Sequence, residues 1–277
     1  NNHPLHGGQL YVYAEHYHIP MTEWLDLSTG INPNGFPLPQ LHENVLRDLP
    51  SDNDGLEKAA CNYYSCDHLL MVPGSSWAIQ QLPFILDQFS PHINTILLPR
   101  IGYKEHEKAW SLLKQDLTFY DDVPSDEQLT NCDVCVLINP NNPTAKLLSS
   151  GRVVKIAQLL KQSQGFLIID EAFMDALNQY SVASYKLKNV IVLRSLGKFF
   201  GLAGLRVGSV IADDEILKLF EKQLPPWPIS HPARFISQCA LQDINWINET
   251  KLTLAKQSLQ LKSLCEAVLR PVFSDCK

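Results

Sequence analysis

Short apolar runs alternate with longer amphipathic stretches along the chain, and this alternation is the strongest constraint on its fold. The predicted strands cover residues 95–98, 117–120, 133–138, 166–169, 190–193 and 207–212. The predicted helices cover residues 76–89, 103–115 and 151–163, with a longer helix at 244–264. Because strands and helices alternate in this way, the sequence predicts an α/β fold with a mostly parallel sheet covered on both faces.

Composition excludes several classes of protein. The 277 residues are 45% hydrophobic, which is enough for a large core, and the net charge of −6 without any basic run argues against a nucleic-acid partner. No apolar stretch approaches the roughly 20 residues of a membrane span, and no signal-peptide pattern opens the sequence. We therefore expect a cytoplasmic protein without a membrane partner.

The cysteines show the pattern of reduced thiols. The chain has seven of them, and several lie inside apolar or helical runs. Cys132 and Cys135 have the C-x-x-C spacing of redox and zinc sites, but Cys135 belongs to a predicted strand and no second ligand pair is spaced to join them. The sequence therefore predicts no metal site.

A single lysine, Lys198, follows the apolar run 190–193 and is surrounded by small and apolar residues. Such surroundings disfavour the ammonium form, so the amine becomes the better nucleophile that a Schiff base with an aldehyde requires. A lysine on a surface loop is the ordinary alternative. Ser195 and Arg206 favour the functional interpretation, because a hydroxyl and a guanidinium complete a site for a phosphorylated aldehyde.

This segment resembles the lysine loop of the fold-type-I enzymes that use pyridoxal 5'-phosphate (PLP), which include aspartate and histidinol-phosphate aminotransferases. The likeness consists of Ser195-x-x-Lys198 followed by Gly-Leu-x-Gly-Leu-Arg-x-Gly. The resemblance implies that Lys198 forms the Schiff base with PLP, while Ser195 and Arg206 hold its phosphate. It also implies the fold-type-I architecture, in which a large domain with a mostly parallel sheet is joined to a small α+β domain.

Two further segments resemble motifs of the same family. Residues 139–144 resemble its N-P-N-N-P-T-G turn, which assigns Asn142 to the phenolic oxygen of PLP, although Ala145 replaces the glycine. Asp170 begins a D-E-A-F sequence, and the resemblance implies that its carboxylate pairs with the pyridine nitrogen. An aspartate that caps a helix is the ordinary alternative. Phe173 replaces a frequent tyrosine, so we expect that residue's contact with the ring oxygen to be absent.

Two more elements are expected around the cofactor. Gly74, Ser75 and Ser76 form a turn into a predicted helix, whose free N–H groups favour an anion, and the family places the PLP phosphate there. Helix capping alone would also explain the serines. His106 stands where relatives carry the tyrosine that stacks on the pyridine ring, so we expect its imidazole to stack. A solvent-facing helix histidine is the alternative.

The N-terminal part resembles one branch of the family. The segments 6–8 and 24–35 are similar to those of threonine-phosphate decarboxylases of cobalamin biosynthesis, and Leu49 replaces a tyrosine usual in histidinol-phosphate aminotransferases. The implied reaction is decarboxylation of L-threonine O-3-phosphate to (R)-1-amino-2-propanol O-2-phosphate. His6, Asn32 and Asn142 are the candidates for the substrate side, with a purely loop-structuring role as the alternative for His6 and Asn32.

Two other functions stay open. One is a histidinol-phosphate-type PLP aminotransferase, because substrate positioning decides whether the Cα–carboxylate bond or the Cα–H bond breaks. The other is a catalytically inactive PLP-fold binding protein. The family also implies a homodimer, whose active sites borrow residues across the two-fold interface.

The resemblance implies three parts of the chain. Residues 1–40 would be an N-terminal arm, 41–230 the large PLP-binding domain, and 231–277 the start of a small domain that we expect to be incomplete. Residues 267–273 resemble a small-domain strand, which makes Arg270 a candidate for a substrate-binding arginine.

Overall fold

The computed structural model describes the backbone of residues 7–273 and the side chains of residues 7–268. Its centre is a sheet whose strands, numbered along the chain, are β1 Leu70–Val72, β2 Thr95–Pro99, β3 Asp116–Tyr120, β4 Val134–Ile138, β5 Phe166–Asp170, β6 Val190–Ser195 and β7 Gly208–Ile211. The spatial order is β1-β7-β6-β5-β4-β2-β3. The strands from β3 across to β6 pair in parallel, whereas β7 is antiparallel to β6 and to β1.

Helices cover both faces of this sheet. They are α1 Leu10–Tyr17, α2 Glu43–Arg47, α3 Leu56–Tyr64, α4 Ser75–Phe89, α5 Glu105–Trp110, α6 Asp126–Thr130, α7 Ser150–Gln162, α8 Asp214–Gln223, α9 His231–Gln242 and α10 Ile244–Phe273. The predicted fold class is therefore confirmed. The helix expected at 103–115 is shorter, and the three-residue strand β1 was not predicted. Across the described residues, no helix is both long and apolar enough to cross a membrane.

The central strands are buried on both faces because each face carries its own hydrophobic cluster. In β4, Val134 and Val136 pack toward α4, α5 and α8, whereas Cys135 and Leu137 pack toward α3, α7 and α9. Successive side chains of a strand point to opposite faces, so both sets must be apolar. This explains why β4 is a continuous apolar run in the sequence.

The C-terminal segment differs from the prediction. The expected strand at 267–273 is wrong, because α10 continues as one helix to Phe273. A strand needs a neighbour to satisfy its backbone groups, and no strand in the described part of the chain lies beside this segment. The run Glu266–Leu269 also consists mainly of good helix formers. Arg270 lies within α10, and its side chain is outside the described residues.

A buried ion cluster joins β6 to the segment that follows β5. Arg194 in β6 is fully buried, and its Nη1 donates to Glu171 at 2.7 Å while its Nη2 donates to Asp175 at 2.6 Å. Its guanidinium carbon also lies 4.5 Å from the centre of the Tyr64 ring. The cluster fixes the ends of the two central strands relative to each other.

We predict that Arg194→Ala destabilises the protein by about 3–5 kcal/mol, because two buried carboxylates would lose their cation. The matched control is Arg47→Ala, which breaks a pair whose side chains are 74% and 81% exposed and should change stability by less than about 1 kcal/mol. The free energy of unfolding in urea measures both. Equal effects of the two substitutions would contradict the assignment of Arg194 as a structural anchor.

Candidate active site

A cavity of about 280 Å³ opens where the parallel strands end at their carboxyl side. Ile138, Asp170 and Ser195 are the last residues of β4, β5 and β6, and all three line it. This is the place where open α/β sheets bind ligands. Of the predicted site residues, the structure brings these to the cavity: Ser75, Ser76, Asn142, Asp170, Phe173, Ser195, Lys198 and Arg206.

One side of the cavity is a cradle for an anion. Helix α4 begins at Ser75, directly after Gly74, whose φ of 87° lies in the left-handed region. A Cβ on Gly74 would lie 2.9 Å from Nη2 of Arg206, so the absence of a side chain lets the guanidinium approach the helix start. The helix N-terminus, Arg206 and the hydroxyls of Ser76 and Ser195 together favour a phosphate.

Lys198 lines the cavity and is half-buried. Burial lowers the pKa of its amine, with Asp170 opposing the shift and Arg206 adding to it. Its Nζ lies 5.2 Å from the centre of the Phe173 ring. The neutral amine is therefore more populated than in an exposed lysine, which suits attack on an aldehyde.

Asn32 holds the lysine loop and does not line the cavity. Its backbone N–H donates to the carbonyl of Lys198 at 2.9 Å, and its Nδ2 donates to the carbonyl of Phe199 at 2.9 Å. Its Oδ1 accepts from the amide of Asn34 at 3.0 Å. These contacts support the loop-structuring alternative. An asparagine amide has two N–H donors and two acceptor lone pairs, and these bonds use only one of each, so the substrate-side role stays a prediction.

His106, which does not line the cavity, contacts the carboxylate of Asp170. One carboxylate oxygen accepts from the amide of Ala172 at 3.0 Å, and the other lies 3.1 Å from Nε2 of His106. Since an ionised carboxylate only accepts, Nε2 carries the hydrogen in this contact. Nδ1 of the same imidazole is buried without a hydrogen-bond partner among the described residues.

The expectation that His106 stacks on a cofactor ring is therefore wrong. A side chain that faces the cavity would be accessible, yet His106 is only 1% exposed and does not line it. Tyr103, which precedes α5, lines the cavity instead. Tyr103 was not predicted as a site residue. The available signal in the sequence was an aromatic residue directly after Gly102, a position that packs closely on Pro99 and Ile138 in the structure.

The asparagine-proline turn after β4 leaves one amide directed at the cavity. The side chain of Asn139 bonds both backbone groups of Leu148, at 3.1 and 2.8 Å, and Nδ2 of Asn141 donates to the carbonyl of Ile101 at 2.8 Å. These two asparagines build the turn, whereas Asn142 lines the cavity. Ala145 has a φ of 56°, the conformation that favours the glycine found in related turns.

The N-terminal segment forms the remaining wall. Gly7, Gly8 and Thr29 line the cavity, and the amide of Gly8 donates to Oγ of Ser28 at 2.8 Å. A Cβ on Gly30 would lie 2.5 Å from the Phe173 ring, so this position packs directly on the cavity wall. These wall residues were not predicted from the sequence. His6, one of its candidates, lies outside the described residues.

The side chains around this cavity fit an organic cofactor. Cys132 and Cys135 are free and buried in the core. Within residues 7–268, no group of three His, Cys, Asp or Glu side chains could hold a metal ion. The cavity offers an amine for an aldehyde, a carboxylate for a ring nitrogen, and a cation with hydroxyls for a phosphate. These groups fit a phosphorylated pyridine aldehyde.

Comparisons with known proteins agree with this site. Residues 38–274 match the family model for aminotransferase class I and II. The chain is 39% identical to a threonine-phosphate decarboxylase of Pseudomonas aeruginosa over 239 residues, which cover 86% of this chain and 71% of the relative. It is 37% identical to histidinol-phosphate aminotransferase 1 of Legionella pneumophila strain Lens, but over only 43% of this chain and 33% of the relative.

The solved structure of L-threonine-O-3-phosphate decarboxylase from Porphyromonas gingivalis has the same fold. It matches with a TM-score of 0.62 and 21% identity, covering 72% of this chain and 64% of that chain. The present chain thus spans slightly less than two thirds of that structure. With a family match over most of its length and the lysine cavity at the strand ends, the chain belongs to the aminotransferase class I and II family of fold-type-I PLP enzymes, in the branch that includes threonine-phosphate decarboxylases.

Proposed function

We propose that this protein is a PLP-dependent decarboxylase that converts L-threonine O-3-phosphate to (R)-1-amino-2-propanol O-2-phosphate in cobalamin biosynthesis. The observation that carries the proposal is the similarity to a threonine-phosphate decarboxylase across most of the chain. The similarity to a histidinol-phosphate aminotransferase extends over less than half of it. The lysine cavity alone does not discriminate, because both reactions use the same catalytic groups.

We infer from the residues around the cavity where each part of PLP would bind. Arg206, Ser195, Ser75 and Ser76 would hold the phosphate, next to the start of α4. Lys198 would hold the aldehyde carbon. The remaining contacts would be Asp170 at the pyridine nitrogen, Asn142 at the ring oxygen, and the rings of Tyr103 and Phe173 at the walls.

Asp170 and His106 supply the electrostatics of the reaction. When bound, PLP provides an electron sink for the electron pair that Cα keeps as carbon dioxide leaves. The Asp170 carboxylate favours a proton on the ring nitrogen, which makes the ring a better acceptor. His106 fixes this carboxylate at 3.1 Å, and the burial of both side chains removes water that would weaken the interaction.

Lys198 moves the proton. Because burial lowers the pKa of its amine, the neutral form of Nζ is more populated than in an exposed lysine. Nζ can therefore bind a proton and return it to Cα after carbon dioxide leaves. The apolar Phe173 ring beside Nζ limits the access of water from that side. Holding the amine against the reacting carbon is the main contribution of the lysine loop.

Residues on the open side of the cavity would position the substrate. We propose that Gly7, Gly8 and Thr29, together with His6, orient the carboxylate and phosphate of the substrate. Gly7 and Gly8 bring backbone close to the cavity without side chains. Arg270 remains a proposed substrate contact from α10. We also propose that the enzyme acts as a homodimer in the cytoplasm, as the family implies.

The direct test is product analysis of the PLP-loaded protein with L-threonine O-3-phosphate and no 2-oxo acid. We expect repeated release of carbon dioxide and aminopropanol phosphate. Lys198→Gln should slow turnover by roughly 10²–10⁴-fold, because the proton carrier is lost. Lys186→Gln is the matched control, since its exposed side chain pairs with Asp67 outside the cavity and should leave turnover unchanged.

Other outcomes of this assay would overturn the proposal in distinct ways. Amino transfer from histidinol phosphate to 2-oxoglutarate, without carbon dioxide release, would identify an aminotransferase. Formation of a visible PLP band that depends on Lys198, without turnover of either substrate, would identify a PLP-binding protein.

We predict that the lowered pKa of Lys198 sets the pH dependence of PLP capture by the apoprotein. The initial rate should rise with pH as the amine loses its proton, and it should level off below 10.5, the ordinary pKa of lysine. Asp170→Asn should move the midpoint further down, because the carboxylate raises the lysine pKa. Stopped-flow absorbance measures the rate. A midpoint at or above 10.5, or an upward shift in the variant, would contradict the prediction.

We predict that His106 acts as a positioning residue for Asp170. His106→Leu removes a hydrogen bond to a buried carboxylate, which corresponds to a loss of about 10–100-fold in kcat. KM should change little, because the imidazole does not face the cavity. His106→Gln keeps a donor and should recover part of kcat. The pH titration of the visible PLP band should shift in the leucine variant; an unchanged titration would indicate a merely structural role.

A further inference from the structure

Two cysteines meet at the end of α3, near the end of the sheet that lies opposite the PLP cavity. Ser65 follows the helix with a φ of 55°, and the amide of Cys66 donates to the carbonyl of Cys61 at 3.1 Å. This is the Schellman arrangement, in which the side chains at the two ends of the motif frequently touch. Here both side chains are thiols that lie near enough to influence each other's pKa, and the Cys61 thiol donates to the carbonyl of Asp67 at 3.6 Å.

The pair is accessible from solvent. Both cysteines are partly exposed, and Cys66 lines an open cavity of about 230 Å³. The cavity has an apolar floor that includes Val190 and Val192 of β6, and a rim of mixed charge formed by Asp67, His68, Lys186, Lys188, Asp213 and Asp214. Such a rim suits a small zwitterionic molecule. By contrast, the other close pair, Cys132 and Cys135, is 3% and 0% exposed.

We propose that Cys61 and Cys66 form a modification site at which a small peptide disulfide of the glutathione class oxidises the pair to an intramolecular disulfide. The Cys66 sulfur attacks one sulfur of the small disulfide and breaks its S–S bond, which releases one small thiol. The Cys61 sulfur then attacks the Cys66 sulfur and releases the second. Two electrons pass from the cysteines to the small disulfide, and their two protons go to the released thiolates.

Local geometry favours ring closure over a lasting mixed disulfide. The backbone hydrogen bond already holds the two residues together, so little further ordering is needed. Burial raises the pKa of Cys61 and raises that of Cys66 to about 12. Since the thiolate is the nucleophile, exchange at neutral pH is slow, and the experiment needs incubation for hours.

The test incubates the native, PLP-loaded enzyme with glutathione disulfide, followed by alkylation, tryptic digestion and mass spectrometry. Cys61 and Cys66 share the tryptic peptide Ala59–Arg100, which contains no other cysteine. We expect this peptide to escape alkylation and to be lighter by two hydrogen atoms. Dithiothreitol should restore both alkylation sites. Cys239→Ala, outside this pair, is the matched control and should leave the result unchanged.

Single variants separate the two steps. Cys61→Ala should carry one glutathione on Cys66, because the second sulfur is missing, and Cys66→Ala should lose the disulfide. Far-ultraviolet circular dichroism verifies that each variant is folded. Full alkylation of both cysteines in the treated wild type would overturn the proposal. The same would follow if Cys66 in the folded Cys61→Ala variant failed to take up glutathione.

Discussion

The buried contact of Arg194 with Glu171 and Asp175 is the interaction on which the active cavity depends. Glu171 directly follows Asp170, and Arg194 directly precedes Ser195, so one ion cluster fixes the two strand ends that carry site residues. The register between β5 and β6 pairs Asp170 with Leu193, which brings the aspartate beside the lysine loop. A buried pair of this kind contributes little net stability relative to an apolar core, but loss of one partner is costly. The main effect of this cluster is that it holds the two strand ends in a fixed relative position.

The lysine loop is fixed a second time from the N-terminal side. Asn32 bonds the carbonyls of Lys198 and Phe199, and the amide of Phe36 donates to the carbonyl of Phe200 at 2.8 Å. Gly201, with a φ of 68°, lets this segment approach so closely that a Cβ would lie 2.5 Å from the backbone of Gly35. The reactive amine therefore lies on a loop whose backbone is held in place by several hydrogen bonds. This restraint is what proximity catalysis requires.

The sequence was sufficient to predict most strands of the sheet and the site residues that belong to short motifs. Both could be predicted because strand ends and glycine turns have local signals. Lys198 and Asn142 follow buried apolar strands and Asp170 ends one, and all three line the cavity. It was insufficient where the direction of a side chain depends on packing. Whether Tyr103 or His106 faces the cavity depends on how α5 lies over the strand ends. The strand predicted at 267–273 failed because strand formation requires neighbours that local sequence does not reveal.

The cavity has one part that is suited to many reactions of the family and another part that would distinguish between them. The anion cradle, Lys198 and Asp170 can serve any reaction that breaks a bond at Cα, so they carry no information about which bond breaks. Selection must come from groups that hold the substrate's carboxylate relative to the ring, and we proposed above that these groups lie on the open side. There Gly30 packs on Phe173 with no room for a side chain, and Gly7 approaches the backbone of Ser28 as closely. A larger residue at either position would displace the wall toward the substrate. Under the proposed function, the glycines of the N-terminal segment would therefore limit the substrate's orientation more directly than Lys198 and Asp170 would, which is consistent with this segment resembling the decarboxylase branch.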